Sequence, residues 1–504
     1  MASTIFAAID VGSSELSMKI YELSKQRGIH ELTHVRHKIP VGAETYTKGF
    51  ISYQTVNEIC STLNDFKRIM SEFGTEASQA YATSALREAS NSLVITDQIK
   101  IQTGFNVKPL SNSEARFLYF KAMALRDNTF EELVREGTLV VDVGAGSVQL
   151  SFFEQGRLQL TQNLLLGSSR IQELLEAMRE EAYDFHALID EYIESDLSFF
   201  NKLNLELTSV KHIIAAGEMI PEIYHYFNQN RTDFQGTLPK KWLNRNKQAR
   251  ELLGNRGQLL LPTFLLCRKI SQLTECDDIH LANVTLCDGI MAEYAERKIR
   301  ITSKHDFTED ILTASLSIAD KYQVDQKHIE NVQTLALQIF DRIRKLHGLG
   351  KRERLLLQLG VILHSCGSYI NKVQSRECSY RIIMSTEIIG ISHKERSIIA
   401  NMVRYNEESF PRYEELEEDF TRDEYITIVK LNAILKTANV LDKSNRQKIK
   451  NVGVSLENGI LTITADTMAD ITLEKGLFHH KADVFEEVFG IRPQLRQKRS
   501  GKRG

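Results

Sequence analysis

The sequence predicts an α/β fold in which two similar α/β domains precede an all-α domain and a small terminal α+β extension. The first observation is a repeat, because Ile-Asp-Val-Gly at 9–12 returns as Val-Asp-Val-Gly at 141–144. The second is the alternation of short apolar runs with helical periodicity through about residue 300. The third is the change to long helical segments after about Phe307. Together the three observations indicate a duplicated α/β unit followed by a helical domain.

Each copy of the repeat predicts a β-hairpin. The apolar runs break at Asp-x-Gly and resume at 16–20 and at 148–152. Gly and Ser in such a turn let backbone N–H groups approach an anion, and the Asp at the strand end can hold a cation or orient a water. Because Asp10 aligns with Asp142 and Gly12 with Gly144, the two copies predict two phosphate-binding loops that face each other.

The remaining elements follow in chain order. We predict α/β domains over 1–125 and 126–300, a helical domain over 301–450, and a hairpin, a helix and a frayed basic tail over 451–504. The polar, basic stretch from Lys240 to Arg250 is predicted to be an exposed excursion. The predicted helices span 56–73, 171–178, 185–201, 329–346, 353–364 and 425–441, and the clearest further strands are 80–84 and 212–216.

Composition sets the outer bounds on function. A chain of 504 residues has room for about three domains, and its net charge of −3 gives no case for nucleic-acid binding. The six cysteines are scattered without a Cys-x-x-Cys pair, which favours reduced thiols over zinc or disulfides. Neither a signal peptide nor an apolar stretch of about 18 residues is seen, so we expect a cytoplasmic protein without a membrane span.

Two further segments carry chemistry. Ala-Thr-Ser-Ala-Leu-Arg at 82–87 places hydroxyl groups and Arg87 just beyond a strand end, where a guanidinium group can clamp phosphate. Ser-Asn-Ser-Glu at 111–114 predicts a helix start with Glu114 in its first turn. That carboxylate has two interpretations, a helix cap or a base that orients a water beside a phosphate, and the sequence leaves both open.

These motifs, in this order and spacing, resemble the exopolyphosphatase and guanosine pentaphosphate phosphatase (Ppx/GppA) family. Leu-Gly-Ser-Ser-Arg at 166–170 is similar to a fifth motif of the family. The resemblance implies two ribonuclease-H-like domains of the actin and sugar-kinase type, closing over a phosphate chain, and an HD-like helical domain. It also implies a homodimer that releases terminal phosphate from inorganic polyphosphate or guanosine pentaphosphate by water attack.

The resemblance also assigns roles to residues. Glu114 matches the catalytic glutamate that activates the attacking water, Asp142 matches the aspartate associated with Mg²⁺, and Asp10 is a further candidate metal ligand. The positions matching phosphate-binding residues are Ser13, Arg87, Gly144, Gly146 and Ser147.

The chain departs from the family pattern in three places. Glu15 puts an acid where the family has Gly-Ser-Asn-Ser, Gln149 replaces a second carboxylate near the metal, and Glu218 stands where Gly-Gly-Thr is usual. We expect weaker anion and metal binding from these changes. The alternative function is therefore a catalytically impaired sensor that binds polyphosphate or an alarmone. A small-molecule kinase is less favoured, because Ala-Gly-Glu at 216–218 replaces an adenosine-binding Gly-Gly loop.

The predicted helical domain also departs from the family pattern. Ser365 and Asn439 stand where an HD metal site needs aspartates, so we expect no metal there and interpret His328 and His364 as core or capping histidines. A basic cluster is either a solvated helix face or a guide for a long polyanion. Its members are Arg342, Arg344, Lys345, Lys351, Arg352 and Arg354.

Overall fold

The computed structural model divides into two compact units, Met1–Ile311 and Leu312–Gly504. It describes residues 3–176, 178, 181, 183–204, 210–230, 236–240, 260–450, 452–457 and 459–498. The predicted excursion lies outside these residues apart from Lys240. The boundaries at 125, 300 and 450 stay predictions. Within the described ranges, no helix combines the length and the apolar character that crossing a bilayer requires.

The first sheet of the first unit has the strand order β3-β2-β1-β4-β5. Its strands are β1 (Thr4–Val11), β2 (Glu15–Ser24), β3 (Gly28–Lys38), β4 (Ala77–Ala82) and β5 (Lys108–Pro109). β1 and β2 are antiparallel, with Asp10 opposite Ser17, and β4 runs parallel to β1 on its other side. The predicted first hairpin is confirmed, and Asp10 lies near the strand end where the chain turns.

The second sheet repeats this arrangement in the order β10-β11-β9-β6-β7-β8. Its strands are β6 (Thr138–Val143), β7 (Val148–Glu154), β8 (Arg157–Leu164), β9 (His212–Gly217), β10 (Thr237–Pro239) and β11 (Asp278–Leu281). β6 pairs antiparallel with β7 and parallel with β9, as β1 does with β2 and β4. Every β6 residue is buried, as expected for a central strand covered on both faces. The duplicated, ribonuclease-H-like architecture is confirmed.

Helices cover these two sheets. In the first unit they are α1 (Val41–Lys48), α2 (Tyr53–Glu72), α3 (Ser84–Glu88), α4 (Ser92–Thr103), α5 (Asn112–Arg126), α6 (Phe130–Leu133), α7 (Ser168–Glu176), α8 (Phe185–Asn204), α9 (Ile220–Asn230), α10 (Leu260–Gln272) and α11 (Leu286–Tyr294). Ser52 caps α2 by accepting from the Thr55 N–H, and its buried face includes Ile59, Leu63 and Phe66. Burial of such faces against each sheet builds two separate hydrophobic cores.

The second unit is mainly helical. Its helices are α12 (Phe307–Lys321, which begins before the unit boundary), α13 (Gln326–Arg342), α14 (Arg344–His347), α15 (Lys351–Leu363), α16 (Ser375–Ser385), α17 (His393–Arg404), α18 (Arg422–Val440) and α19 (Thr472–Phe489). The helix predicted over 329–346 ends at Arg342, and the single turn α14 closes on Gly348 with φ +67°. A left-handed glycine is a frequent helix terminator.

A three-stranded sheet ends this unit. Its strands are β12 (Val452–Glu457), β13 (Ile460–Asp466) and β14 (Pro493–Lys498). The predicted hairpin is confirmed by the antiparallel pairing of β12 with β13. The prediction of a frayed tail from Arg492 is wrong over 493–498, because β14 pairs in parallel with β13. Pro493 and Leu495 alternate with outward polar residues, a strand pattern that the basic composition concealed.

Candidate functional site

The two hairpin turns of the first unit have the same backbone geometry. The Gly12 N–H donates to the Glu15 carbonyl at 3.0 Å, and the Gly144 N–H donates to the Ser147 carbonyl at 3.0 Å. A Cβ on Gly12 would lie 2.7 Å from that Glu15 oxygen, so the turn requires glycine. The duplication seen in the sequence is thus preserved in the turns that were predicted to bind phosphate.

A small cavity of about 40 Å³ lies at these turns. Of the residues predicted to bind phosphate or metal, it is lined by Asp10, Arg87, Gly144, Gly146 and Ser147. Thr83, Ser84, Arg116, Tyr119 and Glu218 contribute further polar groups to its wall. The structure therefore brings most of the predicted phosphate-binding set to one place, and adds residues that were not predicted.

Ser13 lies beside this cavity in a cluster of hydroxyl groups. It is 2% exposed, and its Oγ lies 3.2 Å from Ser84 Oγ and 3.3 Å from the Tyr46 hydroxyl. The Ala85 N–H donates to Ser13 Oγ at 3.3 Å. A Cβ on Gly146 would lie 3.0 Å from the Tyr46 hydroxyl, so the cluster abuts the second turn. Tyr46 was missed, because a single tyrosine in a short helix carries no motif.

Arg87 is held by the segment that begins α5. Its Nη1 donates to the Leu110 carbonyl and its Nη2 donates to Asn112 Oδ1, both at 2.7 Å. The side chain keeps 24% of its surface exposed. These bonds fix the plane of the guanidinium group at the wall of the cavity, which is what a phosphate clamp requires.

Leu166–Arg170, the fifth motif, packs against the backbone of the second turn. A Cβ on Gly167 would lie 2.1 Å from the Ala145 carbonyl oxygen, so only glycine permits this approach. Arg170 donates from Nε to the Gly146 carbonyl at 2.8 Å. The motif therefore holds the loop in place through its backbone.

The main residue that sequence reasoning missed is Arg116. It is 6% exposed on α5. Its Nη1 lies 3.0 Å from Asp142 Oδ2, and its Nη2 donates to the Ser147 carbonyl at 3.1 Å. A signal was present, since Arg116 shares a buried helix face with Phe120 and Met123, and a buried arginine needs a partner. The ion pair joins the end of β6 to the helix that carries Glu114.

This ion pair bears on the magnesium prediction. The Asp142 carboxylate is already matched by Arg116, and its neighbour across the hairpin is the neutral Gln149. Burial raises the pKa of Asp142 in spite of the guanidinium group. No group of three or more His, Cys, Asp or Glu side chains in the described ranges is placed to hold a metal ion. Both Asp142 oxygens are nevertheless buried without a hydrogen-bond partner among the described residues. Mg²⁺ is usually held by one or two carboxylates together with waters and substrate phosphates, so magnesium at Asp142 and Asp10 stays a prediction.

Glu114 is in the first turn of α5, as predicted, where it completes a capping box with Ser111. Its Oε2 accepts from the Ser111 N–H at 3.0 Å and from the Ser111 hydroxyl at 2.8 Å. Its Oε1 accepts from Lys108 Nζ at 3.0 Å. Both oxygens thus have partners, and Glu114 lines neither of the two cavities described for this site.

The three departures from the family pattern behave differently from one another. Glu15 is paired with Arg36 at 2.7 Å, and Arg36 also binds Glu222 at 2.8 Å, so the expected repulsion by Glu15 is offset. Glu218 accepts a hydrogen bond from the Ser14 hydroxyl. Gln149, which stands where the resemblance implies a second carboxylate, lies opposite Asp142 and donates to the Thr161 hydroxyl.

Asp10 and Glu218 make the floor of the site acidic. Burial raises the pKa of Asp10 well above its usual range, and the charges of Glu218 and Glu15 raise it further. Burial also raises the pKa of Glu218, against the Ser14 hydrogen bond. Asp10 Oδ1 is buried with no hydrogen-bond partner in the described part of the chain. An unpartnered buried oxygen here is costly unless a proton or a ligand satisfies it.

A larger cavity of about 210 Å³ adjoins this acidic floor. Its lining includes four carboxylates, three basic side chains and two histidines: Asp10, Glu15, Glu31, Glu218, Lys19, Arg36, Arg126, His34 and His225. Burial lowers the pKa of His34 to about 4. Lys19 is anchored to the fully buried Asp288 at 3.1 Å, and the Tyr21 hydroxyl donates to the same carboxylate at 3.0 Å. Each of the three cations of this wall, Lys19, Arg36 and Arg126, is already paired with two carboxylates.

In the second unit, His328 and His364 are buried. Their Nε2 atoms are 3.3 Å apart, His328 Nδ1 lies 2.8 Å from Asp442 Oδ2, and His364 Nδ1 donates to the Val361 carbonyl at 2.7 Å. Burial and the neighbouring His328 lower the pKa of His364 to about 4, so it is neutral at pH 7.

Two members of the basic cluster already have acidic partners. Arg352 pairs with Glu395 at 2.6 Å and Arg354 with Asp341 at 2.8 Å. Their charge is therefore partly offset, which favours the solvated-face interpretation for these two residues.

Comparison with known proteins identifies the class to which this fold and site belong. Residues 20–248 match the Ppx/GppA phosphatase family, and residues 312–482 match its domain III. The chain belongs to the Ppx/GppA phosphatase family, and the second match confirms the helical C-terminal domain. The HD-like character of that domain stays a prediction.

Individual relatives are distant. The guanosine-5'-triphosphate,3'-diphosphate pyrophosphatase of Photobacterium profundum is 22% identical over 412 residues, which cover 80% of each protein. Exopolyphosphatase 1 of Mycobacterium bovis is 23% identical over 163 residues, 32% of this chain and 46% of that protein. The crystal structure of an exopolyphosphatase from Cytophaga hutchinsonii covers 58% of this chain and 97% of its own, with 20% identity and a TM-score of 0.50. At this identity the structural likeness shows the fold alone.

Proposed function

We propose that this chain is a phosphohydrolase that releases terminal phosphate from inorganic polyphosphate or guanosine pentaphosphate. The observation that carries the proposal is the cavity at the two hairpin turns, where Arg87 and Arg116 border the Gly144–Ser147 loop. Phosphoryl transfer needs a positioned phosphate and neutralised charge more than it needs covalent chemistry. Arg87 and the glycine-rich turn are suited to these requirements, and Arg116, which is paired with Asp142 and Ser147, holds the turn in position.

In this proposal the terminal phosphate lies against the second turn. Arg87, which lines the cavity, binds its oxygens. The hydroxyl cluster of Ser13, Tyr46 and Ser84 fixes the loops around it. The family resemblance assigns the attacking water to Glu114, and the Glu114→Gln variant is therefore the first control.

The test is phosphate release from long-chain polyphosphate, with guanosine pentaphosphate in parallel, each with and without Mg²⁺. Release that depends on the enzyme and falls in Arg87→Met supports the hydrolase, and the better substrate defines its specificity. Light scattering during size-exclusion chromatography tests the predicted homodimer. Absence of release from both substrates, with measurable binding of either, would contradict the hydrolase.

A second candidate, a sensor that binds polyphosphate or an alarmone without turnover, is favoured by one observation. Asp142 is paired with Arg116 and lies opposite the neutral Gln149, so the second carboxylate that the resemblance implies at position 149 is missing. A sensor requires only the anion-binding groups. Tight binding without release of phosphate is the outcome expected for this candidate.

A further inference from the structure

Glu88 places a carboxylate between two arginines beside the phosphate-binding turns. Its Oε2 lies 2.5 Å from Arg170 Nη2, and its Oε1 lies 3.5 Å from Arg87 Nη2. The three side chains keep between 21% and 34% of their surface exposed, so solutes can reach them. The two oxygens of one anionic group therefore lie between two guanidinium groups, at a place that is open to a ligand.

Arg170 is held against the second turn. Its Nε donates to the Gly146 carbonyl at 2.8 Å, and Gly146 lines the small cavity. Its guanidinium group also lies 5.1 Å from the centre of the Tyr46 ring, a cation–π contact that stabilises the charge. Glu88 then binds the guanidinium group at Nη2. An arginine anchored at Nε can bind an oxyanion with little further loss of side-chain freedom.

Arg87 is fixed by the segment that begins α5. Its bonds to the Leu110 carbonyl and to Asn112 hold it at the wall of the small cavity. Arg87 is thus both a lining residue of that cavity and a neighbour of Glu88. A group that replaced the Glu88 carboxylate would therefore lie next to a phosphate bound in the cavity.

The Glu88 carboxylate resembles a phosphate group inside a phosphate chain. A carboxylate shares one negative charge between two oxygens, and so does a phosphate whose other two oxygens bridge to its neighbours. Arginine binds both groups through the same fork of N–H donors. Because exposed ion pairs contribute little to stability, a ligand of like charge can displace Glu88 at small cost.

We propose that Arg87 and Arg170 form a subsite for the second phosphate from the end of the substrate chain, and that Glu88 occupies this subsite until the chain binds. The inference rests on the proposed function, in which the terminal phosphate lies against the second turn. Glu88 turns outward into solvent when the phosphate takes its place, and no covalent bond changes. The subsite selects phosphoanhydrides, since a phosphate monoester has no second phosphate with which to fill it.

The experiment measures by isothermal titration calorimetry how the full-length protein binds methylenediphosphonate, a non-hydrolysable pair of linked phosphoryl groups, and orthophosphate. We expect Glu88→Gln to lower the Kd for methylenediphosphonate by about two- to fivefold, because a competing charge is removed. Arg170→Met should raise this Kd by about 10- to 100-fold, because charge-assisted hydrogen bonds are lost. Orthophosphate has no second phosphate, so both variants should bind it with nearly wild-type affinity.

Glu76→Gln is the matched control. Glu76 is exposed and immediately precedes β4, whereas the site lies at the other end of that strand. The substitution removes the same charge from the same sheet, so both Kd values should stay at the wild-type level.

The outcomes separate the subsite from the proposed function. Wild-type protein that binds neither ligand and releases no phosphate from polyphosphate overturns both. Absence of release together with the expected changes in Kd overturns the hydrolase alone. Release of phosphate together with a wild-type Kd for methylenediphosphonate in Arg170→Met overturns the subsite alone.

Two further results would count against the subsite. Weaker binding of methylenediphosphonate in Glu88→Gln would mean that the pair with Arg170 is a structural link, and equal changes for both ligands would mean a general effect of charge. Should Arg170→Met disturb the turn at Gly146, Glu88→Gln decides alone, because it leaves Arg170 bonded to that turn. An unchanged Kd for methylenediphosphonate in Glu88→Gln then overturns the proposal.

Discussion

The buried Arg116–Asp142 pair provides the sharpest test of how the site is held together. Substituting Arg116 by Met removes one partner and leaves the Asp142 carboxylate, which is 1% exposed, without its counter-ion. It also removes the hydrogen bond to the Ser147 carbonyl. Breaking a buried pair in this way costs about 3–5 kcal/mol. We therefore expect a large local destabilisation of the second hairpin.

Hydrogen exchange measured by mass spectrometry is the suitable assay, because a chain with two units does not unfold in a single two-state step. Each 1.4 kcal/mol changes an equilibrium tenfold, so exchange in peptides covering β6 and β7 should accelerate by about two to four orders of magnitude. The double variant Arg116→Met/Asp142→Leu should recover most of the loss, since neither charge is then left unpaired.

A matched control is the exposed pair of Arg68 and Asp65, whose side chains are 79% and 53% exposed. Arg68→Met should change local stability by no more than about 0.5 kcal/mol. If β6 and β7 are equally protected from hydrogen exchange in Arg116→Met and in Arg68→Met, the buried ion pair does not stabilise the second hairpin and the reasoning is refuted. A double variant less stable than Arg116→Met would also contradict it, because the cost would then come from lost packing.

Three further predictions concern other parts of the chain. In the folded protein the pKa of His364 is about 4, below the value of about 6.5 in the unfolded chain. The unfolded state therefore binds the proton first as the pH falls. The second unit should lose up to about 3 kcal/mol of its free energy of unfolding between pH 6.5 and pH 4. Hydrogen exchange from pH 4 to 7 should show this slope, and a His364→Phe variant with the same slope would contradict it. Gly217→Ala should lower local stability by at least about 2 kcal/mol, because the added methyl group meets the Val143 carbonyl at a positive φ. Gly28→Ala, also at a positive φ but in open space, should cost less. Equal loss of hydrogen-exchange protection in β9 and β3 would argue against this reasoning. Gln149→Glu should raise magnesium-dependent phosphate release if the protein is an impaired hydrolase, and unchanged release would favour the sensor.

The duplicated architecture could be predicted from sequence because it depends on local patterns. Asp-x-Gly between two apolar runs predicts a hairpin, and two copies in register predict the same strand pairing in each sheet. The helix start at Ser111 could be predicted because capping acts over three residues, whereas the helix predicted from Val56 begins at Tyr53, after its Ser52 cap.

The site was only partly predictable, because its decisive contacts join residues far apart in the chain. The pairing of Arg116 with Asp142 and the bond from Ser14 to Glu218 depend on tertiary packing. Sequence spacing identified Glu114 but could not choose between a cap and a base, since both roles need the same residue at the same place. The prediction of a frayed tail was wrong for another reason, because the basic composition of this segment concealed the alternation of Pro493 and Leu495 with polar residues.

The parallel strand β14 has a practical consequence for work with this protein. Because Leu461 and Ile463 of β13 pair with Pro493 and Leu495, the last residues of the described chain cover an apolar strand edge. Truncation before Pro493 would leave that edge open, and open edges promote association between chains. Affinity tags and fluorescent fusions therefore belong after residue 504, behind a flexible spacer, and shortened versions made to aid crystallisation should keep β14.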